Sequence, residues 1–274
     1  MRIGCGVLRW QIDGSPPAIA FDTAGNLLMS VMIEGLAGAA AGVAGAAGFL
    51  AYAVRGTSNS ILAPSVYRGS RLRPALALTF DDGPSESTPQ LLEILEANGV
   101  KATFFMCGHN VRRCPWIARS VVGAGHEIGN HTDSHPRLDF HRRAFIYAEV
   151  ARAQETIQEV TGSTPRFFRA PFGVRWFGLR QVQRRLELLG VMWTVIGRDW
   201  QLESPRIADR ILRGAVNGAI VCLHDGRQIR ETPDIRATVE AVRLIIPALR
   251  ERGFQFETVG QILRAAGPST VTAT

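Results

Sequence analysis

The sequence predicts an α/β fold, a distorted (β/α) barrel of about seven strands preceded by an N-terminal hydrophobic helix. Three observations lead there. From residue 75 onward, short apolar runs alternate with helical patterns and no internal repeat is visible, as in a parallel sheet covered by helices. Polar side chains able to do chemistry gather at the carboxyl ends of those runs, where the loops of an α/β barrel converge on one mouth. Residues 35–54, GLAGAAAGVAGAAGFLAYAV, carry no charge.

Taken in order, Ala75 to Phe80 (ALALTF) is the first strand, a continuous apolar run suited to burial on both faces. A helix follows, with Thr88 as its cap, Pro89 in its first turn and Gly99 as its stop. Lys101 to Met106 is the second strand, and one helix through Val121 is expected to end near Gly125. His126 to Gly129 is the third strand, before a long helix from about Arg142 to Val160 with Gly162 beyond it. Arg166 to Arg169 is the fourth, and the helix of Leu179 to Leu189 ends at Gly190. Val191 to Ile196 is the fifth, then a helix led by Pro205, and Ala219 to Leu223 is the sixth. The helix of Ile235 to Arg252 leads to Phe254–Phe256 as the seventh, and a last helix closes near Ala266.

Ahead of this region, residues 1–34 read as a loose tail, with Pro16-Pro17 and scattered glycines, and Met29 and Met32 offer later starts. Residues 35–54 are long enough to span a bilayer, at a rise of about 1.5 Å per residue against a core of about 30 Å. A membrane anchor fits the length and the small residues. A cleaved signal segment fits Ala51-Tyr52-Ala53, although Glu34 stands where a basic residue is expected. A soluble helix suffers from its glycines. Arg55, Arg68, Arg71 and Arg73 favour a cytoplasmic C-terminal side. Residues 55–73 read as a polar linker, 74–266 as the α/β domain and 267–274 as a tail.

The net charge of +7 is almost all arginine, Lys101 being the sole lysine. It suits anionic partners or reflects arginine-favouring codons. The basic residues are scattered without a dense run, so nucleic acid is not an expected partner. Cys5, Cys107, Cys114 and Cys222 form no C-x-x-C pair, which argues against cysteine-held zinc.

The reactive residues fall strand by strand. The first strand runs into Asp81-Asp82-Gly83-Pro84, and the third into His131-Thr132-Asp133-Ser134-His135. The fourth ends on Arg169 before Pro171-Phe172-Gly173, the fifth leads to Asp199-Trp200, and the sixth to His224-Asp225. His131 and His135 are four apart, so one helical turn would put both imidazoles on one side. Alone, such a pair is an ordinary polar loop. With one carboxylate of the adjacent Asp81-Asp82 pair it makes the His₂-carboxylate set of a catalytic divalent metal, zinc above others. The other carboxylate of the pair then stays free as a base. Arg169, costly to bury unpaired, should face a carboxylate. His224 is a candidate proton donor that Asp199 or Asp225 would keep charged. His109, His126 and His141 read as structural or surface residues, and Trp176 and Trp193 as core.

In this order, Thr79-Phe80-Asp81-Asp82-Gly83-Pro84, His131-Thr132-Asp133-Ser134-His135-Pro136, Arg169-Ala170-Pro171-Phe172-Gly173, Asp199-Trp200 and Leu223-His224-Asp225 resemble the five motifs of the polysaccharide deacetylases. These are the nodulation-protein-B type, carbohydrate esterase family 4, and the resemblance covers about residues 74–265. It implies a distorted barrel and a metal on Asp82, His131 and His135. It also implies Asp81 as base, Arg169 as its holder, His224 as acid and Asp199 as the partner of His224. The backbone N–H of Phe172 would bind the oxyanion, while Trp200 and Leu223 would line the acetyl-methyl pocket. Phe172 stands where many members carry tyrosine, and only its backbone is required. The expected activity is removal of N-acetyl groups from an amino-sugar polymer, peptidoglycan or a chitin-like oligosaccharide, by a membrane-anchored or secreted enzyme outside the cytoplasm. An O-acetyl xylan esterase and a non-catalytic glycan-binding barrel are the alternatives.

Overall fold

The computed structural model describes residues 23–264, in two compact units divided between Phe49 and Leu50. Helix α1 (Thr23–Arg55) starts in the first unit and ends in the second. The stretch Thr23–Glu34, expected as loose tail, is therefore helical, and residues before 23 lie outside the described ones. Met32–Arg55, 24 residues of mean hydropathy 1.6, is long and apolar enough to cross a membrane. Its large side chains Met32, Ile33, Leu36, Val43 and Phe49 are exposed.

The second unit carries the strands β1 (Ser65–Val66), β2 (Ala75–Asp81), β3 (Thr103–Met106), β4 (Glu127–Asn130), β5 (Phe167–Phe168), β6 (Leu189–Val191), β7 (Val195–Ile196), β8 (Ala219–His224) and β9 (Gln255–Phe256). Its helices are α2 (Thr88–Ala97), α3 (Gly108–Arg113), α4 (Pro115–Gly123), α5 (Arg143–Thr161), α6 (Leu179–Arg185), α7 (Ser204–Gly214), α8 (Arg236–Glu251) and α9 (Val259–Arg264). The ladders between these strands are parallel, in the order β1-β6-β5-β4-β3-β2-β8-β7, with β9 against the start of β2. The strands β6 and β7 are adjacent in sequence yet lie toward opposite ends of that path. Three residues, Met192–Thr194, bridge them, so the sheet has to curl until its ends approach. Thr194 N–H donates to Ile220 O at 2.8 Å, and Arg68 bridges Ala219 across the same gap. The expected barrel is therefore present, in distorted form.

Alternation along the strands sorts their side chains. On β2, Leu76, Leu78 and Phe80 pack outward into the helix-covered core, while Ala75 and Ala77 face an inner cluster with Phe105, Ile220, Val259 and Ile262. The same parity turns Thr79 and Asp81 inward on β2, and Cys222 and His224 inward on β8.

Several boundaries differ from expectation. The single fifth strand is two, and a further strand, β1, arises within the expected linker. The helix after β3 breaks at Cys114, where Pro115 opens α4 without an N–H to donate. The helix α6 ends at Arg185, and Gly190 belongs to β6 instead of ending the helix. A Cβ there would lie 2.5 Å from Pro64 O, so glycine lets β1 dock. Thr88 does not cap α2: it is the first helical residue, and its hydroxyl donates to Asp225 Oδ2 at 2.7 Å. The last helix is described to Arg264, and Ala266 lies outside the described residues.

Residues 50–64 are tied to the barrel through Arg175, which is fully buried. Its backbone N–H donates to Val54 O at 3.0 Å, and its guanidinium donates to Gly56 O and Asn59 O. A chain beginning at Ser65 would leave that guanidinium without these acceptors. Hydrogen bonds to charged groups contribute about 1.5–3 kcal/mol each. We expect such a chain to unfold at clearly lower urea concentration than one beginning at Leu50. Equal midpoints would remove residues 50–64 from the folded unit.

Candidate active site

Each predicted site residue lies at or behind the carboxyl rim of the sheet. Asp81 ends β2, and Asp82, with φ of 71°, turns the chain out of the strand. The turn sits directly on the Asp225 carboxylate: a Cβ on Gly83 would lie 2.1 Å from Asp225 Oδ2. Only glycine allows that approach.

His131 and His135 reach the same point without the helical turn that their spacing suggests. They occupy the loop between β4 and α5, where Thr132 (φ 67°) and His135 (φ 58°) adopt left-handed backbone. Asn130 shapes this loop. Its Oδ1 accepts from Thr132 N at 2.9 Å, and its Nδ2 donates to Val150 O and Gln154 Oε1, both at 2.9 Å. The outcome is convergence on one oxygen: His131 Nε2 lies 3.3 Å and His135 Nε2 2.9 Å from Asp82 Oδ1. Asp82 Oδ2 is held separately by the N–H of Gln228 at 2.7 Å.

The protonation of His131 can be read from its other nitrogen. Nδ1 lies 2.7 Å from Arg169 O, and a carbonyl only accepts, so Nδ1 carries the proton. In the neutral ring Nε2 is then a lone pair facing a carboxylate oxygen. Two acceptors at that distance repel unless a cation lies between them or the ring is protonated. Asp82 Oδ1 is a buried oxygen with no hydrogen-bond partner. Burial pushes the Asp82 carboxyl up, but the two imidazoles prevail and hold it well below the usual range. This donor set fits a divalent cation.

Arg169 is fully buried and does face a carboxylate. Its Nη1 donates to Asp81 Oδ1 at 2.6 Å and to Thr79 Oγ1 at 2.7 Å. Nε and Nη2 donate to Val191 O and Met192 O, and the guanidinium stacks 4.1 Å over the Phe105 ring. One Asp81 oxygen is thus fixed, while Oδ2 keeps only the weak thiol donor of Cys222 at 3.5 Å.

On the opposite wall, His224 Nδ1 lies 2.8 Å from Asp199 Oδ1, and its backbone N–H donates to Oδ2 at 2.9 Å. Thr238 Oγ1 donates to the same Oδ2 at 2.6 Å. Burial alone would lower the His224 pKa, yet Asp199, aided by Asp82 and Asp81, pushes it up to about 9. Asp225, the other candidate partner, serves a different purpose. Burial raises its pKa to about 7, and it braces the turn at Gly83 through Thr88.

Asp81, Asp82, His131, His135 and His224 line one cavity of about 610 Å³, together with Phe172 and Trp200. Phe172 takes a left-handed conformation (φ 57°) in the turn Pro171–Gly173, with its ring 4.8 Å from His135. Trp200 stands edge-on to His224 at 5.1 Å. Leu223 is not on the cavity wall. It is fully buried in the outer core, since strand parity turns it away from the side that holds Cys222 and His224. Trp193 and Ile196 take wall positions instead.

Sequence reasoning missed Asn110, whose Nδ2 donates to Asp82 O at 2.7 Å and Gln228 O at 2.8 Å. It also missed Arg227, which donates to Asp199 O at 2.9 Å. Neither stands in a telling pattern; only the position of Arg227 after His224 hinted at the site. Trp193, read as core, is half-buried on the cavity wall. The remaining histidines behave as expected: His126 Nδ1 accepts from Ala102 N–H at 3.1 Å, and burial lowers its pKa to about 4. The buried Cys107, Cys114 and Cys222 are free thiols.

The family described as polysaccharide deacetylase matches residues 68–191. A chitooligosaccharide deacetylase of Bradyrhizobium sp. is 37% identical over 194 residues, which cover 68% of this chain and 89% of the relative. Among solved structures, the Bc1960 peptidoglycan N-acetylglucosamine deacetylase superposes with a TM-score of 0.69 at 30% identity, covering 73% of this chain and 92% of its own. A pseudoenzyme of carbohydrate esterase family 4 from Bacillus anthracis gives 0.67 at 29% identity, covering 74% and 70%. Shared sequence over about nine-tenths of the length of the first two of these relatives, on the same fold, has one conclusion: this chain belongs to the polysaccharide deacetylase family and is a hydrolase of that family.

Proposed function

We propose that this chain is a metal-dependent N-deacetylase of an N-acetylglucosamine polymer, peptidoglycan or a chitin-like oligosaccharide, with Asp82, His131 and His135 holding the metal. The observation that carries it is the lone pair of His131 Nε2 turned toward a partnerless carboxylate oxygen, beside His135. Zinc suits two imidazoles and a carboxylate best. When bound, such a cation supplies Lewis-acid polarisation of the acyl carbonyl and a more acidic water.

The chain's own groups divide the remaining work. Asp81, oriented by Arg169 through one oxygen, takes the proton of the attacking water on the other. The backbone N–H of Phe172 donates to the oxygen that becomes negative as the carbonyl turns tetrahedral. His224, kept protonated by Asp199, gives its proton to the departing nitrogen. That last step favours an amide over an ester, because an amine leaves only once protonated whereas an alkoxide needs less help. Trp200, beside His224, packs on the acetylated sugar.

The helix Met32–Arg55 serves in this reading as a membrane anchor, and a wall glycan as substrate places the catalytic unit outside the cytoplasm. Incubation with N-acetylglucosamine oligomers and with wall glycan should release free amines, and a chelator should stop the release. Acetate from acetylxylan alone would establish the O-acetyl esterase instead. No turnover on any of these would align the chain with the pseudoenzyme neighbour.

A further inference from the structure

Two loops of the catalytic unit present bare aromatic rings to solvent. Phe140, in the loop between β4 and α5, is 85% exposed, and Phe177, between β5 and α6, is 59% exposed. They are joined through Trp176, whose ring is 4.8 Å from Phe140 and 5.2 Å from Phe177. Phe145, at the start of α5, extends the patch and stacks on His141 at 4.0 Å. Phe140 has φ of 63°, a conformation unfavourable for a bulky residue, and no burial of its ring offsets it. Apolar rings clustered this way on a soluble surface mark a contact.

The occupant is indicated by what leaves the unit beside them. The last turn of α1, Leu50–Arg55, belongs to the catalytic unit. Val54 O accepts from the N–H of Arg175, the residue just before Trp176 and Phe177. Trp176 in turn carries the Phe140 ring of the neighbouring loop at 4.8 Å. The end of α1 within the catalytic unit, Leu50–Arg55, therefore lies beside these loops, and a bilayer that takes up the apolar residues before it has its surface within a few residues of Leu50. Arg142 and Arg143 are exposed on the same face, and Arg185 stacks on Tyr147 at 4.4 Å. Among the described residues none of these three arginines has an ion-pair partner. Aromatic rings and arginines together are the composition of the headgroup layer.

We propose that the face formed by Phe140, Phe145, Trp176 and Phe177, with Arg142 and Arg143, sits in the lipid headgroup layer. This rests on the reading of Met32–Arg55 as a membrane anchor. The same two loops carry His131, His135 and Phe172, so the catalytic mouth is held close to the lipid surface, and glycan near the membrane is the substrate most readily reached.

The test uses the full chain in phosphatidylcholine–phosphatidylglycerol vesicles, with Cys5 replaced by serine. Single nitroxide labels are placed at Phe140→Cys, at Phe177→Cys and, as an aqueous reference, at Leu72→Cys. Leu72 is 91% exposed and precedes β2 at the amino-terminal end of the sheet. Relative to position 72, collisions with a water-soluble nickel chelate should fall several-fold at 140 and 177, while collisions with dissolved oxygen rise. Labels at 140 and 177 as aqueous as that at 72, in protein that withstands a carbonate wash, overturn the proposal and leave the anchor standing. Protection from nickel without a gain in oxygen marks a protein contact and overturns it as well. Protein that washes off the vesicles defeats the anchor reading and this proposal with it.

Discussion

Asp82→Ala, His131→Ala and His135→Ala are each expected to lose bound divalent metal and turnover together, while Asp81→Asn and His224→Ala keep the metal and lose turnover by about 10²–10⁴-fold. The separation follows from where the atoms point. The Nε2 atoms of His131 and His135 lie 3.3 Å and 2.9 Å from Asp82 Oδ1, so deleting any one of the three leaves two donors, too few for a catalytic zinc site. Asp81 is directed elsewhere, its Oδ1 occupied by Arg169 at 2.6 Å, and His224 stands on the Asp199 side of the cavity. Asp81→Asn keeps the shape and still accepts from Arg169, but its amide is no base. Metal analysis of the five purified variants beside their circular dichroism decides the matter. Full metal content in all three alanine variants would sink the ligand assignment. Wild-type kcat in Asp81→Asn or His224→Ala would remove that residue from proton transfer.

Much of this site was legible because its residues cluster at strand ends. Asp81-Asp82, His131, Arg169, Asp199 and His224 follow separate apolar runs, and a parallel barrel brings all such ends to one rim. What spacing could not convey is how the loops bend. His131 and His135 looked like a helical pair, yet left-handed backbone at Thr132 and His135 makes the convergence, and nothing local in the sequence announces it. Leu223 was misplaced for a reason that was available. Strand alternation puts Cys222 and His224 on one side and Leu223 on the other, and the family resemblance outweighed that parity. The split between β6 and β7 and the docking of residues 50–64 on Arg175 are tertiary effects. They depend on partners distant in sequence, such as Ser65 for Gly190 and Asn59 for Arg175, and a local reading of a polar stretch sees only a linker.

Asp199→Asn is expected to lower kcat about 10²-fold near pH 7 and to shift the basic limb of the pH profile to lower pH. His224 is buried, and burial disfavours its charge; the Asp199 carboxylate is the largest influence holding the proton on it. Asp82 and Asp81 assist, and a cation on Asp82 would cancel its share and leave His224 dependent on Asp199 still more. Without that charge, burial prevails and the imidazole is neutral where the leaving amine needs its proton. The signs for stability run the same way. The His224 pKa is raised above its ordinary 6.5, so its stabilising contribution is complete below 6.5 and is lost as pH climbs through about 9. Asp199 is lowered, against burial, chiefly by His224, so its contribution holds above its ordinary 3.8 and is lost as pH falls below it. Wild-type stability should therefore decline toward both extremes, and Asp199→Asn should flatten the alkaline decline because the charge pair is already gone. The measurements are kcat/KM from pH 5 to 10 and urea midpoints over the same range. A basic limb that does not move between the wild type and Asp199→Asn would mean that another group, and not His224, protonates the departing nitrogen.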